Sequence, residues 1–320
     1  MRTAYLGTSG FAATVLQRLA ESPHRPALVV TPPDRPRGRG RRLASPPAAD
    51  AARELALELH QTPNVNSPES VDAIRAAGPE AVPVCAFGQL IKEPLLSEQL
   101  MLNVHPSLVP RWRGAAPIER TLIAGDRITG VTIMRVTEGL DSGPIALSEQ
   151  IEVRADDDYA SLSERLAALG GELLVRALDR CAAGDLPFTE QDDADATYAE
   201  KISPEERHLD PARPAVELER VVRGLTPHIG AHLELGDGGR LGVRAAAVAS
   251  NPPSKGEDPG ADGGEPPPTP AAGVIEARGE ELLLGCSDGV LRLEIVQPPG
   301  SKPMTAADFL RGHPVPSRAR

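Results

Sequence analysis

The segment from Thr3 to Leu19, TAYLGTSGFAATVLQRL, decides the fold class of this chain. Its first residues form an apolar run typical of a short buried strand, and Gly7 marks the turn that follows. Beyond the turn, apolar side chains recur at a spacing that places them on one face of a helix: Phe11, Val15, Leu16 and Leu19. A strand, a glycine-containing turn and a helix in this order predict the start of an α/β domain.

The alternation of strands and helices continues beyond this segment. Strands are predicted from apolar runs at 27–30, 81–87, 100–105 and 129–136, and helices from the periodicity at 48–59 and 69–77. This order favours a mostly parallel sheet covered by helices. Pro83 argues against a central position for its strand, because proline has no N–H to donate to a neighbouring strand.

A long helix is predicted after these elements. Ser161 and Glu164 have the spacing of a capping box, which places the start of the helix at Ser161. Apolar residues then recur at helical spacing as far as Cys181. The pair Gly170-Gly171 interrupts this pattern and marks either a kink or a point of close packing.

The length of 320 residues favours two domains rather than one. The stretch from about Gly184 to Pro204 is acidic and poor in apolar residues, as is typical of a connection between domains. We predict a first domain over 1–190, a linker over 191–206 and a second domain over 207–320. Short apolar segments between glycine-rich turns predict a small barrel or sandwich in the second domain. Within it, the Pro-, Gly- and acid-rich segment 250–272 predicts a mobile insertion.

The formal net charge of −11 argues against general nucleic-acid binding, which is associated with basic domains. One segment departs from this acidic character. The sequence from Asp34 to Arg42, DRPRGRGRR, has five arginines and one aspartate, a local charge of +4, and predicts a site for one anionic ligand. Its arginines are Arg35, Arg37, Arg39, Arg41 and Arg42.

The three cysteines lie far apart and lack the spacing of a zinc or redox site. We expect them to be reduced and mostly buried thiols. No stretch approaches the roughly 20 apolar residues needed to cross a bilayer, and the first residues lack the apolar region of a signal peptide. A cytoplasmic protein that makes no contact with a membrane is therefore expected.

Asn103 and His105 stand two positions apart at the end of an apolar strand, so their side chains project to the same face of the sheet. Ligands of open α/β sheets bind at the carboxyl ends of the strands. An amide and an imidazole at such a place can donate hydrogen bonds to a carbonyl oxygen that becomes anionic during acyl transfer. The spacing alone also fits a structural pair, in which Asn103 caps a turn and His105 bonds the backbone.

Asp141 lies in a glycine-flanked loop that directly follows a predicted strand. Its carboxylate would orient the His105 ring and stabilise the charged form of that ring, whereas an ordinary Asx turn is the alternative. Between these segments, the triplet RWR at 111–113 contains the single tryptophan of the chain. It predicts either a grip on phosphate with aromatic stacking, or a loop that Trp112 pins to the domain.

Three segments of the first half of the chain form a combined pattern: NVHPSLVPRWRGAAPI at 103–118, GVTIM at 130–134 and GLDSG at 139–143. Taken together, they resemble the methionyl-tRNA formyltransferase family. The arginine segment PDRPRGRGRR at 33–42 and the segment TYAEKI at 197–202 are similar to the same family. The likeness spans most of residues 1–205 and continues more weakly to the C-terminus.

The resemblance implies a Rossmann-like α/β formyltransferase domain, followed by a smaller all-β, oligonucleotide-binding-like barrel that helps to hold initiator tRNA. It implies 10-formyltetrahydrofolate as formyl donor and no metal. The family's catalytic residues fall on Asn103, His105 and Asp141, and its tRNA-gripping loop falls on the arginines of 35–42. The folate contacts are predicted at Ser107, Leu108, Val109, Pro110, Phe87 and Gly88.

Two positions depart from the family pattern. Pro106 replaces a glycine that is common after the histidine, which stiffens the catalytic loop. The segment LTPHIG at 225–230 replaces a sequence of the Asn-Pro-Trp-Pro type in the second domain. In addition, GTSGF at 7–11 lacks the third glycine of the dinucleotide fingerprint, so the Rossmann-like shape does not predict NAD binding.

The implied activity is transfer of a formyl group to the free amino group of methionyl-tRNA by a monomeric enzyme. The nearest alternative is a related folate-dependent N-formyltransferase that acts on a sugar nucleotide, glycinamide ribonucleotide or another small amine. A hydrolase that releases formate from the same donor, or a non-catalytic RNA-binding module, would also fit parts of the pattern. The destination of a labelled formyl group distinguishes these activities.

Overall fold

The computed structural model of the chain describes residues 1–37, 42–249 and 268–320. The chain forms two compact units. The first consists of Met1–Pro117, Arg127–Arg154 and Ser161–Glu200, and the second of Ile118–Asp126, Ala155–Ala160 and Lys201–Arg320. Two short segments of the first half of the chain therefore pack with its C-terminal part, which the sequence did not indicate.

Strands and helices alternate along the first 200 residues. They are β1 (Thr3–Gly7), α1 (Gly10–Ala20), β2 (Pro26–Thr31), β3 (Arg35–Arg37), β4 (Arg42–Ala44), α2 (Pro47–Glu54), β5 (Leu59–Gln61), α3 (Pro68–Ala77), β6 (Val82–Cys85), α4 (Leu95–Glu98), β7 (Met101–His105), β8 (Arg113–Gly114), α5 (Pro117–Ala124), β9 (Ile128–Arg135), β10 (Ile145–Glu152), α6 (Tyr159–Ala183) and β11 (Tyr198–Ala199).

Seven of these strands form one mixed sheet in the order β10-β9-β7-β6-β1-β2-β5. Five neighbouring strands, β7, β6, β1, β2 and β5, are parallel to one another. At the other edge, β9 is antiparallel to β7 and β10 is antiparallel to β9. On one face, Val71 and Ile74 of α3 pack against Leu6 and Val30. The prediction of a Rossmann-like α/β unit with a mostly parallel sheet is confirmed.

The turn between β1 and α1 follows from its sequence. The Ser9 hydroxyl caps α1 and accepts a hydrogen bond from Ala12 N at 3.3 Å. Gly7 is required by space, because a Cβ there would lie 2.6 Å from the Tyr5 ring. The Tyr5 hydroxyl donates to Ala12 O at 2.7 Å, which fastens the buried strand to the first turn of the helix.

Pro83 lies in β6, between β1 and β7, so the expectation against a central position is wrong. On the β7 side, pairing is continuous from Val82 to Val84. On the β1 side, pairing occurs at Ala81 and resumes at Val84. The central strand tolerates the proline because its missing N–H falls within this interruption.

Two helix boundaries also differ from the prediction. The helix expected over 48–59 ends at Glu54, because Leu59–Gln61 forms β5 and pairs in parallel with β2. The long helix α6 begins at Tyr159, so Ser161 lies inside its first turn and is not its cap. Three consecutive aspartates precede Tyr159 and supply the negative charge that favours a helix N-terminus.

The glycine pair in α6 marks a point of close packing within a continuous helix. A Cβ on Gly170 would lie 2.9 Å from a methyl group of Val104 in β7. A Cβ on Gly171 would lie 2.8 Å from the Arg18 side chain of α1. The two glycines therefore let α6 approach both the sheet and α1 closely.

The second unit is built around an antiparallel sheet. Its further elements are α7 (Ala215–Leu225), β12 (Ala231–Glu234), β13 (Arg240–Val248), β14 (Ile275–Arg278), β15 (Glu281–Gly285), β16 (Val290–Gln297), β17 (Met304–Thr305) and α8 (Ala306–Gly312). The sheet order is β12-β13-β16-β15-β14, and β17 pairs with β16. The short strands were predicted, but α7 and α8, which cover part of this core through Leu218 and Phe309, were not.

Two further predictions concern segments between or within the units. The insertion expected at 250–272 lies, up to residue 267, outside the described residues. The linker expected over 191–206 contains residues up to Glu200 that group with the first unit. No helix in the described ranges is long and apolar enough to span a membrane.

Candidate active site

The end of β7 brings together the three polar residues that the sequence singled out. Asn103 Nδ2 donates a hydrogen bond to Asp141 Oδ1 at 3.1 Å. His105 Nδ1 lies 3.6 Å from Asp141 Oδ2. Asn103 and His105 thus reach the same carboxylate from one face of the strand, at the carboxyl end where α/β sheets bind their ligands.

The His105 ring is almost fully buried, and its two nitrogens have different surroundings. Nε2 lies 2.9 Å from the carbonyl oxygen of Trp112. A carbonyl only accepts, so Nε2 carries a hydrogen and donates it. Nδ1 is the nitrogen that faces Asp141, at a distance longer than a normal hydrogen bond. The backbone bond that the structural alternative required is therefore present together with the pairing to Asp141.

Asp141 has a left-handed backbone with φ of 48°, a conformation that costs a non-glycine residue about 1–2 kcal/mol. Its carboxylate accepts hydrogen bonds from outside its own loop. Oδ2 accepts from Gly114 N at 2.9 Å, while Oδ1 accepts from Asn103. These bonds hold the carboxylate beside His105, which an ordinary Asx turn would not do.

Gln191 was missed by sequence reasoning, because it lies in the segment predicted as a linker. Its Nε2 donates to Asp141 O at 3.0 Å and to Gly143 O at 2.7 Å. Its Oε1 accepts from Arg113 Nε at 3.0 Å. The only nearby signal was the family-like segment TYAEKI, which begins at Thr197.

The RWR triplet bonds neighbouring segments through the Arg113 side chain and the Trp112 backbone. Arg113 is buried, and its Nη2 lies 2.8 Å from Asp193 Oδ1. Trp112 N donates to Thr197 Oγ1 at 2.9 Å. The exposed Arg111 guanidinium lies 4.4 Å from the centre of the Trp112 ring.

The residues predicted to contact folate divide into buried and accessible groups. Ser107, Val109 and Phe87 are buried. The Ser107 hydroxyl donates to Arg111 O at 2.7 Å, and the Phe87 ring belongs to the core of the first unit. Three positions are open to solvent to a greater extent: Leu108, Pro110 and Gly88.

The two ends of the arginine segment lie in paired strands. Strands β3 and β4 pair antiparallel, and Arg35 in β3 is exposed. Before β3, Asp34 Oδ1 accepts from Gln61 Nε2 at 2.9 Å, and this hydrogen bond lowers the pKa of the Asp34 carboxyl. Arg39 and Arg41 lie outside the described residues.

The site contains no obvious set of metal ligands. Over residues 1–37, 42–249 and 268–320, no three His, Cys, Asp or Glu side chains form a cluster suited to a metal ion. The site contains a carboxamide donor and an imidazole that both face one carboxylate, a set suited to acyl transfer.

Family models match both parts of the chain. The model described as "Formyl transferase" matches residues 1–178, which is more than half of the chain. The model described as "Formyl transferase, C-terminal domain" matches residues 201–314. Fold, site and family models together define the class of protein as the formyl transferases.

Similar proteins indicate which family of formyl transferases the chain belongs to. The methionyl-tRNA formyltransferase of Halorhodospira halophila is 41% identical over 314 residues, which cover 97% of this chain and 96% of that protein. The methionyl-tRNA formyltransferase of Phenylobacterium zucineum is 40% identical over 320 residues, with coverage of 99% and 98%. The chain belongs to the methionyl-tRNA formyltransferase family.

A solved structure shares the fold across almost all of both chains. It is the sugar 3N-formyl transferase WlaRD in the presence of dTDP and 5-N-formyl-THF, with a TM-score of 0.64 and 13% identity. The match covers 94% of this chain and 99% of that one. At this identity the likeness describes the fold and not the acceptor.

Proposed function

We propose that this chain transfers a formyl group from 10-formyltetrahydrofolate to the free amino group of methionine on initiator tRNA. The observation that carries the proposal is the convergence of Asn103, His105 and Asp141 at the end of β7. The methionyl-tRNA formyltransferases with 41% and 40% identity over nearly the whole chain support this acceptor. The formyl donor supplies an activated carbonyl carbon, and the three residues supply hydrogen bonds and a site for the proton.

Asn103 acts as a donor to the oxygen of the formyl group. Its NH₂ group has two hydrogens, and the hydrogen bond to Asp141 Oδ1 uses one of them. The second hydrogen stabilises the negative charge that develops on the formyl oxygen when the amine attacks the carbon. Because Asp141 fixes the plane of the carboxamide, this donor is oriented before the substrates bind.

His105 and Asp141 handle the proton that the amine loses. The Nε2 hydrogen is engaged with Trp112 O, so Nδ1 receives the proton and the facing Asp141 carboxylate stabilises the resulting charge. His105 then releases the proton to the N10 nitrogen of the departing folate. One carbon–nitrogen bond forms, one breaks, and one proton moves between the two nitrogens, so the route uses no metal and no redox partner.

The proposed folate surface is the loop from Ser107 to Pro110 together with Phe87 and Gly88. The accessible Leu108, Pro110 and Gly88 would touch the ligand directly. Beneath them, the Ser107 hydroxyl and the Phe87 ring are engaged within the protein and would support this surface. A change in folate KM without a change in tRNA KM is expected for Leu108→Ala, and the reverse pattern would contradict this assignment.

The proposed grip on tRNA is the arginine segment that contains Arg35, Arg37, Arg39, Arg41 and Arg42. Each phosphate contact adds close to one unit to the slope of log binding constant against log salt concentration. Arg39→Ala and Arg41→Ala should each weaken tRNA binding and flatten that slope, with folate affinity unchanged. An unchanged slope in both variants would remove these residues from the tRNA interface.

The second unit is proposed to assist in holding tRNA. Its antiparallel strands support the prediction of an oligonucleotide-binding-like barrel. The division into 1–190, 191–206 and 207–320 likewise stays a prediction, as do the monomeric state and the cytoplasmic location. Loss of tRNA affinity with retained folate affinity in a variant altered only in this unit would support its proposed role.

A formyl-transfer assay tests the whole proposal against its rivals. The protein is incubated with donor labelled in the formyl group and, separately, with methionyl-tRNA, uncharged tRNA or a dTDP-linked amino sugar. Label on methionyl-tRNA alone supports the proposal; label on the sugar supports the alternative; free formate without an acceptor indicates a hydrolase. The Asn103→Ala variant should lose about 100- to 1,000-fold in turnover with tRNA affinity nearly unchanged.

A further inference from the structure

We propose that Gln191 is a positioning residue for formyl transfer, which holds the Asp141 loop in register with the loop that contains Arg113. The inference rests on the proposed function, because its effect is measured as a rate of formyl transfer. It assigns no contact between Gln191 and a substrate. Its role is to keep the Asp141 carboxylate beside Asn103 and His105.

The carboxamide of Gln191 is fully committed and has one possible orientation. Both hydrogens of Nε2 go to backbone carbonyls, of Asp141 and of Gly143. The oxygen accepts from Arg113 Nε, and a flipped amide would place hydrogens against that guanidinium and an oxygen against two carbonyls. A glutamate could keep only the contact with Arg113, and an apolar side chain of the same length could keep none of the three.

The segment that Gln191 holds needs external support. Asp141 has the left-handed backbone described above, and the loop then turns back at Gly143 under the carbonyl of Arg135. Gln191 contacts both ends of this turn through the carbonyls of Asp141 and Gly143. Each hydrogen bond contributes on the order of 1 kcal/mol, which is comparable to the cost of the left-handed residue.

The opposite loop carries the groups that hold the other members of the site. Gly114 N donates to Asp141 Oδ2, and Trp112 O accepts from His105 Nε2. Arg113 lies between these two residues, its Nε donates to Gln191, and its Nη2 lies 2.8 Å from the exposed Asp193 carboxylate. Gln191 therefore connects two backbone segments. One is the loop that contains Asp141, and the other is 112–114, whose backbone groups bond both the Asp141 carboxylate and the His105 imidazole.

Displacement of either loop would separate catalytic groups without removing any of them. Misplacement of a reacting group by about 1 Å can cost about 100-fold in rate. Loss of Gln191 should therefore lower kcat while the substrate-binding surfaces stay intact. A residue that acts only on overall stability would instead reduce the amount of folded protein and leave the kcat of that folded fraction unchanged.

The test compares Gln191→Met and Gln191→Glu with the matched control Gln297→Met. Gln297 in the second unit has the same kind of contacts, since its oxygen accepts from Arg244 Nε at 2.9 Å and its Nε2 donates to Ser301 O at 2.8 Å. We expect kcat per folded molecule to fall about 10- to 100-fold in both Gln191 variants, with the KM for each substrate within about twofold. Gln297→Met should keep the normal kcat.

A double-mutant cycle with Asp141 tests whether the loss in kcat arises from displacement of that residue. In an Asp141→Ala background, Gln191→Met should lower kcat by a clearly smaller factor than it does alone, because the carboxylate is gone and only the support of the loop that bonds His105 is left to lose. Undiminished loss in that background, a normal kcat in Gln191→Met, or a change confined to KM would overturn the inference. If Gln191→Met does not fold, Gln191→Asn keeps the same groups on a side chain one methylene shorter, and a normal kcat there refutes the proposal equally.

The same experiment separates this inference from the proposed function. If the unaltered protein transfers no formyl group to methionyl-tRNA, the proposed function is refuted. If the unaltered protein is active and Gln191→Met matches it, only the positioning role is refuted.

Discussion

Replacement of Gly143 by alanine would test whether the Asp141 loop must keep its place to within about 1 Å. Gly143 follows Asp141 by two residues and passes under the carbonyl oxygen of Arg135. A Cβ added to Gly143 would lie roughly 1.5 Å inside ordinary van der Waals contact with that oxygen. The obstacle is backbone of strand β9, which cannot rotate away, so the loop itself must move.

The expected magnitude follows from this overlap. If the loop takes up most of the displacement, the Asp141 carboxylate shifts by about 1 Å relative to His105, which corresponds to about 100-fold in kcat. That factor equals about 2.7 kcal/mol in the activation free energy. Overpacking also destabilises by about 1–3 kcal/mol, so the rate must be expressed per folded molecule.

The same loop provides a matched control in Gly139→Ala. A Cβ on Gly139 would meet the hydroxyl of Ser142, the end of a small side chain that can rotate to another position. Formyl transfer to methionyl-tRNA is measured for both variants with the folded fraction determined by circular dichroism. We expect about 100-fold loss in Gly143→Ala and less than about threefold loss in Gly139→Ala. Equal rates in the two variants would refute the reasoning.

Three further predictions use other groups. Asp141→Asn should lower kcat about 100-fold, because a carboxamide cannot accept from both Asn103 and the backbone; a rate within a few fold of normal would contradict this. In native protein, a thiol reagent should modify the partly exposed Cys181 faster than the buried Cys85, since burial raises the pKa of the Cys85 thiol to about 12 and closes off access to it, although desolvation also raises the pKa of the Cys181 thiol; fast modification that persists in Cys181→Ser would argue against it. Desolvation, and then neighbouring arginines and a histidine, lower the pKa of His232, so the unfolded chain binds a proton near pH 6.5 that the folded protein does not. Stability to urea should therefore fall as pH drops below about 6.5, and His232→Gln should flatten this dependence; an identical slope in the variant would exclude His232 as its source.

Much of the site was accessible to sequence reasoning because it depends on local geometry. Alternation along a strand is fixed by the backbone, so the spacing of Asn103 and His105 was enough to place them on one face. The loop of Asp141 directly follows β9, the neighbour of β7, so its approach to that face follows from the order of the strands.

Other features could not be predicted because they depend on long-range packing. The capping pattern at Ser161 predicted the start of the long helix, but that helix begins two residues earlier. The periodicity at 48–59 predicted one helix, but the end of this range pairs with β2 as a strand. Pro83 lies in a central strand because a gap in pairing with β1 matches its missing N–H, and no local pattern reports such a gap.

The sequence by itself determined the fold class, the strand–turn–helix opening and the identity of the three polar residues at the end of β7, because periodicity, turn chemistry and motif are properties of neighbouring residues. Only the tertiary structure decided which nitrogen of His105 faces Asp141, and that Gln191, 50 positions from Asp141, holds the loop of that residue. Hydrogen bonds between distant segments are set by the packing of the whole unit, and for this reason residue types and spacings alone do not reveal them.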